Sequence, residues 1–494
     1  MASTTHGTVS VEGKRISYDA VAGTMVLDGT GNNESTPEVA IGYFAYFKQG
    51  ARASNRPVTF IYNGGPGSST IWLHMGSFGP KRVVTADASH TPAAPYELVD
   101  NEFSLLDVSD LVFIDMPGTG FGRLLPRGND KDALDKSHKE LAKKIWGIDG
   151  DAQAFAGFIT QFLTKYDRWN SPKYLFGESY GTARSAALAN ILQSQDNVDL
   201  NGIILLSAVL NWEIRTDGPV SPGMDLRYEL QLPSLAATAF YHKKVPNQPA
   251  ALEPFLQKAT QFAMGEYAQA LLAGSQLDDA HKQAVAKQLY QYTGLPAAIW
   301  LKANLRLPAG VFRHELLADS GQTTGRLDSR FSGPQMDPLS ESSEYDPMST
   351  ATGSAYVAAF NSYVRKDLKF GDDLKYRPSV DGADDYRWDY SHTAPGNRKG
   401  QPQQSLNVMG DLAAAMKENP NLKVYVHGGY FDTATPFYAA QYEMEHLPIP
   451  ASLVKNISYS WYPSGHMVYL HLPSLKALHD NVAKFIGDTD TAKH

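Results

Sequence analysis

The chain has 494 residues, 43% of them hydrophobic and 19% charged, with a formal net charge of -8. It can therefore bury a full core and reads neither as a disordered nor as a coiled-coil protein. The negative balance argues against nucleic-acid binding, and the densest basic run, Lys139 to Lys144, is broken by Glu140 and apolar residues as on a solvated helix face. Cysteine is absent, which rules out disulfides, thiolate metal sites and a thiol nucleophile. Residues 1–7 lack the basic start and apolar run of a signal peptide, and no window approaches ~18 uninterrupted apolar residues, so no membrane association is expected.

Along the first hundred residues apolar and polar positions alternate between turn signals: Val9/Val11, Ile16/Tyr18, Val39/Ile41/Tyr43, then Val58 to Tyr62. This predicts strands, the N-terminal ones antiparallel. From Leu111 to Ile114 onward, apolar strand runs alternate with helical periods, the form of parallel βαβ units. Phe155, Phe158, Ile159, Phe162, Leu163 and Tyr166 share one helix face, with Asp151 near the helix start. Tyr174 to Phe176, a glycine-bounded turn, an Ala-rich helix from about Ala183 to Gln193 and the strand Ile203 to Leu206 follow.

Between about Asn211 and Val364 the alternation gives way to Ala/Gln/Leu-rich helical stretches such as Leu252 to Leu289. These predict an inserted, mainly helical cap. Strand and helix alternate again through a helix near Leu406 to Lys417, the strands Val424 to Val426 and Ile457 to Trp461, and a last helix from Pro473 to about Ile486. The expected organisation is an α/β core in two parts, residues 1–210 and 365–494, around a cap at 211–364.

Four loops carry chemistry. Gly177-Glu178-Ser179-Tyr180-Gly181 fits G-x-S-x-G between a strand and a helix, the setting of a nucleophile elbow. There the glycines permit a sharp reversal, and Ser179 sits at a helix N-terminus, where peptide dipoles favour developing negative charge. A serine hydroxyl needs a base and an orienting acid, which in this kind of fold follow later in the chain, acid before histidine. Asp432, after the strand ending at Val426, is the candidate acid. His466, in Pro463-Ser464-Gly465-His466 after the next strand, is the candidate base; of 14 histidines it alone has that address. The oxyanion donors expected are the Tyr180 amide and Gly65 in the loop Asn63-Gly64-Gly65-Pro66-Gly67-Ser68-Ser69. That loop lacks the Lys of a phosphate-binding loop. His427 and His471 match no metal-binding spacing, so no metal and no cofactor are expected.

Taken together, Asn63 to Ser69, Asp115-Met116-Pro117-Gly118-Thr119-Gly120-Phe121, Gly177 to Gly181, Asp432 and Gly465-His466-Met467-Val468 resemble the serine carboxypeptidase family in order and spacing. The resemblance implies an α/β-hydrolase fold with a central, mostly parallel sheet. It also implies cleavage of the last bond of peptides with a free C-terminal carboxylate, favouring acidic pH, with Asn63, Gly64 and Glu178 binding the substrate. A second glutamate that familiar eukaryotic members carry fourteen residues after the Asn is Ser77 here. Losing that like charge should relax the acidic optimum. Leu232 to Ala239 resembles the cap of bacterial members, which implies a periplasmic or secreted protein, with a cytoplasmic one as the alternative. Relatives with the same triad transfer acyl groups to alcohols, so an acyltransferase or esterase is the alternative. Residue preference and oligomeric state are not legible in the sequence, although Trp72, Trp388 and Tyr390 are candidates to shape the pocket.

Overall fold

The computed structural model of the chain describes residues 2–29, 36–216, 222–380, 386–397 and 401–490. Strands β1 (Ala2–Val11), β2 (Lys14–Asp28) and β3 (Pro37–Lys48) form an antiparallel meander. Val9, Val11, Ile16 and Tyr18 point into one hydrophobic cluster, so their alternation marks a sheet with a single covered face here.

Five strands then run parallel: β4 (Val58–Tyr62), β5 (Asp110–Ile114), β6 (Lys173–Glu178), β7 (Gly202–Leu206) and β8 (Lys423–Gly429), with β9 (Ile457–Tyr462) parallel to β8 at the edge. The sheet order is β1-β2-β3-β5-β4-β6-β7-β8-β9, and a two-residue strand, Arg123–Leu124, pairs beside β3. Every residue of β4, β5, β6 and β7 is buried. These runs read as continuously apolar because helices cover both faces.

One face packs against α1 (Ile148–Lys165), α2 (Tyr180–Ser194) and α3 (Met409–Glu418), and the other against α4 (Pro347–Lys366) and α5 (Leu472–Thr489). In α1, Phe155, Phe158, Ile159 and Phe162 are fully covered, as their spacing requires. Asp149 and Asp151 lie in its first turn, where the positive end of the helix dipole favours carboxylates. Between β7 and β8 a run of helices from Leu226–Tyr241 to Ala309–Glu315 closes around a third cluster of its own. Helix α4, which spans position 364 where the cap was expected to end, buries Tyr356, Phe360 and Tyr363 in a cluster of the main sheet. Among the described residues, no helix is long and apolar enough to cross a membrane.

The chain steps from β4 to β5 on one side and then to β6 on the other, so the strand order reverses at β4. In such sheets the crevice at the carboxyl ends of the diverging strands collects the functional loops. Tyr62 pairs with Gly177, Leu206 with both Glu178 and His427, and Gly429 with Tyr462. That register brings the ends of β4, β6, β7, β8 and β9 out level, and every loop singled out in the sequence leaves from this rim. The order and the strand–turn–helix at β6 are those of the α/β-hydrolase fold.

Candidate active site

Ser179 stands between β6 and α2 with φ 60° and ψ -130°, a conformation that L-residues rarely adopt and that clusters at functional turns. Its amide donates to Leu206 O at 3.0 Å, tying the reversal to β7. The flanking glycines are required by contact. A Cβ on Gly177 would lie 2.6 Å from Ser185 Oγ, and one on Gly181 would lie 3.0 Å from Tyr62 O.

The loop after β4 is pressed onto this elbow. A Cβ on Gly64 would come 2.6 Å from Gly181 N and 2.8 Å from Glu178 O, and closer still to Tyr180 N. Gly65, at φ 109°, is exposed at the cavity wall beside it. Asn63 is buried; its Oδ1 accepts from Leu73 N at 3.1 Å, which turns its Nδ2 to donate to Glu178 Oε2.

Below the loop lies a buried pair that the sequence did not reveal. Arg184 Nε meets Asp151 Oδ2 at 2.6 Å, Arg184 Nη1 donates to Asn63 O at 2.7 Å, and Tyr180 OH donates to Asp151 Oδ2 at 2.9 Å. The Asp115–Phe121 motif supports the same loop. Asp115 Oδ1 accepts from Thr70 N at 2.9 Å and from Tyr376 OH at 3.2 Å, and complete burial pushes Asp115 up to about 7, against the pull of these hydrogen bonds.

Asp432 and His466 meet at 2.6 Å, Oδ2 to Nδ1. Asp432 is fully buried, with Oδ1 accepting from the amides of Ala434 (2.8 Å) and Thr435 (3.0 Å). Thr435 Oγ1 donates to Asp432 Oδ2 at 2.7 Å and lies 3.1 Å from His466 Nδ1. Burial presses the His466 pKa down, but the charge and hydrogen bond of Asp432, helped by Glu178, outweigh it and leave it raised. With Nδ1 turned to Asp432, Nε2 is the nitrogen left for the cavity.

Both loops are braced by a segment from the far end of the insertion. His466 N donates to Leu327 O at 2.6 Å, Thr433 Oγ1 to Arg326 O at 2.8 Å, and Ser329 N to Phe431 O at 2.9 Å. Gly465 is required here, since its Cβ would sit 2.5 Å from Asp328 Cγ.

A cavity of about 410 Å³ joins these parts; Asn63, Gly64, Gly65, Glu178, Ser179 and His466 all line it. Trp72, Leu327, Met348 and Met467 supply apolar wall, and Arg215 and Arg326 are also at its surface. Of the aromatics expected to shape the pocket, only Trp72 lines it. Trp388 packs edge-on against Tyr180 at 5.0 Å, and Tyr390 lies 6.2 Å from Trp212, which does line it.

Glu178 is 1% exposed. Burial pushes its pKa up to about 7; His466 and the hydroxyl of Tyr469 pull the other way, and Asp432 adds to the rise. Tyr469 OH reaches Glu178 Oε2 at 3.0 Å and Oε1 at 3.2 Å. Ser77 turns its hydroxyl to Leu73 O at 2.6 Å, within its own helical turn. His427 is buried with Nδ1 2.9 Å from Tyr462 OH, and His471 Nδ1 lies 2.7 Å from Ser474 Oγ; neither lines the cavity. Among the described residues, no group of three His, Cys, Asp or Glu side chains is arranged to hold a metal ion.

Comparison with known families matches the serine carboxypeptidase profile to residues 34–464, a span that stops two positions short of His466. No curated protein matched. Among solved structures, the chain is similar to a proline iminopeptidase from Mycobacterium smegmatis, at 13% identity over 96% of this chain and 100% of the other (TM-score 0.39). It is also similar to a soluble variant of a Saccharomyces cerevisiae monoglyceride lipase, at 11% identity over 95% and 96% (TM-score 0.37). A Thermogutta terrifontis esterase matches at 10% identity over 95% and 100% (TM-score 0.34).

Proposed function

The chain belongs to the serine carboxypeptidase family, and from that membership we propose that it is an active serine-type carboxypeptidase, releasing C-terminal residues from peptides through an acyl-enzyme on Ser179. The observation that carries this reading is a buried carboxyl, Glu178, held by Asn63 next to the nucleophile in the same cavity. A neutral ester presents no carboxylate for such an acid to meet. A carboxypeptidase needs a donor for the terminal carboxylate of its substrate.

In this mechanism His466 Nε2 takes the Ser179 proton as Oγ attacks the scissile carbonyl, while Asp432 holds Nδ1–H and stabilises the imidazolium. The oxyanion is met by the amides of Gly65 and Tyr180, the latter opening α2. As the C–N bond breaks, His466 returns the proton to the leaving amine and the C-terminal amino acid departs. Water then attacks the ester by the same base and oxyanion donors, and Ser179 is regenerated.

Asn63 and protonated Glu178 bind the substrate carboxylate, with Gly64 giving it close approach to the backbone. Glu178 donates only while protonated, so kcat/KM for peptides falls as pH rises through about 7. The optimum is then acidic; because a second acid would raise the pKa of Glu178, its absence at Ser77 brings the alkaline limit down, opposite to the relaxed optimum expected from the sequence. The peptides are met outside the cytoplasm, in the periplasm or the medium, as the bacterial-type resemblance implies.

The test is a pair of substrates sharing one acyl group: an N-blocked dipeptide with a free C-terminus, and its alkyl ester analogue without a carboxylate, each assayed across pH, with Ser179→Ala as control. Loss of dipeptide turnover above about pH 7 with the ester unaffected is expected. Ester turnover or transfer to an added alcohol without dipeptide cleavage would replace the reading with that of an esterase or acyltransferase. Dipeptide turnover confined below about pH 5 would contradict the raised Glu178 pKa on which the alkaline limit rests.

A further inference from the structure

We propose that Tyr469 is a positioning residue of the carboxylate-binding site: its phenol holds the Glu178 carboxyl from behind through both oxygens, and so limits how far up the pH scale Glu178 keeps the proton it donates to substrate. The inference rests on the carboxypeptidase reading and names a residue that neither the motifs nor the cavity lining points to. Tyr469 is 3% exposed and does not line the cavity, so it acts on substrate only through Glu178.

The geometry divides the two carboxyl oxygens between tasks. Oε2 accepts from Asn63 Nδ2, a group that can only donate, so the proton of the neutral acid belongs on Oε1. Tyr469 OH lies nearer Oε2, at 3.0 Å, and can donate there while Oε1–H is offered to a substrate carboxylate. When Glu178 ionises, the same phenol donates to a full negative charge, a stronger hydrogen bond than to the neutral acid. Tyr469 therefore favours the ionised form more than the protonated one. The charged and titratable groups facing Glu178 are His466 and Asp432 from the loops after β9 and β8, Tyr356 from α4, and Tyr469 itself, with Arg326 facing His466.

The surrounding backbone is shaped to seat the phenol. Gly76, in the helical turn His74–Phe78, faces it: a Cβ there would lie 2.6 Å from Tyr469 Cε2 and closer still to Tyr356 OH. The next residue is Ser77, the position of the second glutamate in familiar relatives, and its hydroxyl is spent on Leu73 O. A phenol delivered from the turn Val468–Leu470, three residues after His466, is thus a close partner of the Glu178 carboxyl, while Ser77 sends no acid there. A second glutamate would repel the ionised form, whereas a phenol stabilises it.

The experiment compares the intact protein with Tyr469→Phe and Gly76→Ala in two readouts. The first is the pH profile of kcat/KM for the dipeptide and ester pair. The second is direct titration of Glu178 by NMR of 13C-labelled glutamate, its signal assigned with Glu178→Gln. Tyr469→Phe keeps the ring, and Gly76→Ala displaces it, so two unlike changes should agree.

Both should raise the Glu178 titration midpoint, by about one pH unit for Tyr469→Phe. The alkaline limb should move up with it for the dipeptide, through KM, and stay in place for the ester. A midpoint unchanged or lowered in folded Tyr469→Phe would overturn the proposal. If esters are cleaved and dipeptides never are, the carboxypeptidase reading fails by itself, and the titration still decides what Tyr469 does to Glu178.

Discussion

Replacing Gly64 with alanine adds one methyl group where the loop after β4 meets the elbow. Its Cβ would stand 2.6 Å from Gly181 N and 2.8 Å from Glu178 O, with Tyr180 N nearer still. Ordinary contact begins at ~3.5 Å, so the loop must retreat by about 1 Å. The opposing atoms are backbone at the start of α2 and cannot swing aside. In the proposed mechanism the retreat carries Gly65 off the developing oxyanion, and it carries Asn63 off Glu178. A misplacement of about 1 Å costs roughly 100-fold in rate, or about 2.7 kcal/mol of transition-state stabilisation. Dipeptide and ester should both lose that factor in kcat/KM, and the rate of Ser179 labelling by a fluorophosphonate should fall with them. Stability should drop by only about 1–3 kcal/mol from overpacking, measured by urea unfolding. Gly353→Ala, in α4 with nothing within 4 Å of the added Cβ, is the matched control and should be neutral or stabilising. A Gly64→Ala protein that is folded and within threefold of wild type on both substrates would refute the close packing of loop on elbow as the reason for this glycine.

Thr435→Val removes the hydroxyl that donates to Asp432 Oδ2 at 2.7 Å and keeps the side-chain shape. A hydrogen bond to a charged group is worth about 1.5–3 kcal/mol, so kcat should fall about tenfold or more on both substrates with KM little changed, read from initial rates. His392 bridges Asp149 Oδ1 at 2.5 Å and Asp411 Oδ2 at 2.7 Å, and although burial opposes its charge, these two carboxylates raise its pKa to about 9. The folded pKa lies above the unfolded value of about 6.5, so this stabilisation is complete below about pH 6.5 and lost as pH rises through about 9. His392→Gln should cost about 3 kcal/mol at pH 6 and little at pH 10, measured by urea unfolding at each pH; a cost independent of pH would show that the imidazolium is not what joins the two acids.

The parts of the site legible in the sequence share one property, a local address. Gly177 to Gly181, Asp432 and His466 each follow a strand whose apolar run is plain, and a parallel sheet sends all such loops to one rim. The fold could be read for a related reason: the change from the alternation of Val9 to Tyr18 to βα periods after Leu111 follows from one covered face giving way to two. What escaped the reading depends on contacts between distant segments. Arg184 reaches Asn63 and Asp151 across 121 and 33 positions, and Tyr469 reaches Glu178 across 291. No spacing announces such pairs. Leu327 and Ser329 escaped because a helical insertion gives no sign that its far end returns to brace His466 and the loop of Asp432.

The order of strands, the elbow and the choice of candidate catalytic residues were set by local pattern, since periodicity and turn chemistry depend on near neighbours along the chain. The tertiary structure alone decided what surrounds Glu178. Its proton affinity comes from losing water and from facing His466, Tyr469, Asp432 and Asn63. Desolvation and charge act through space, and the residues that impose them lie in segments hundreds of positions apart.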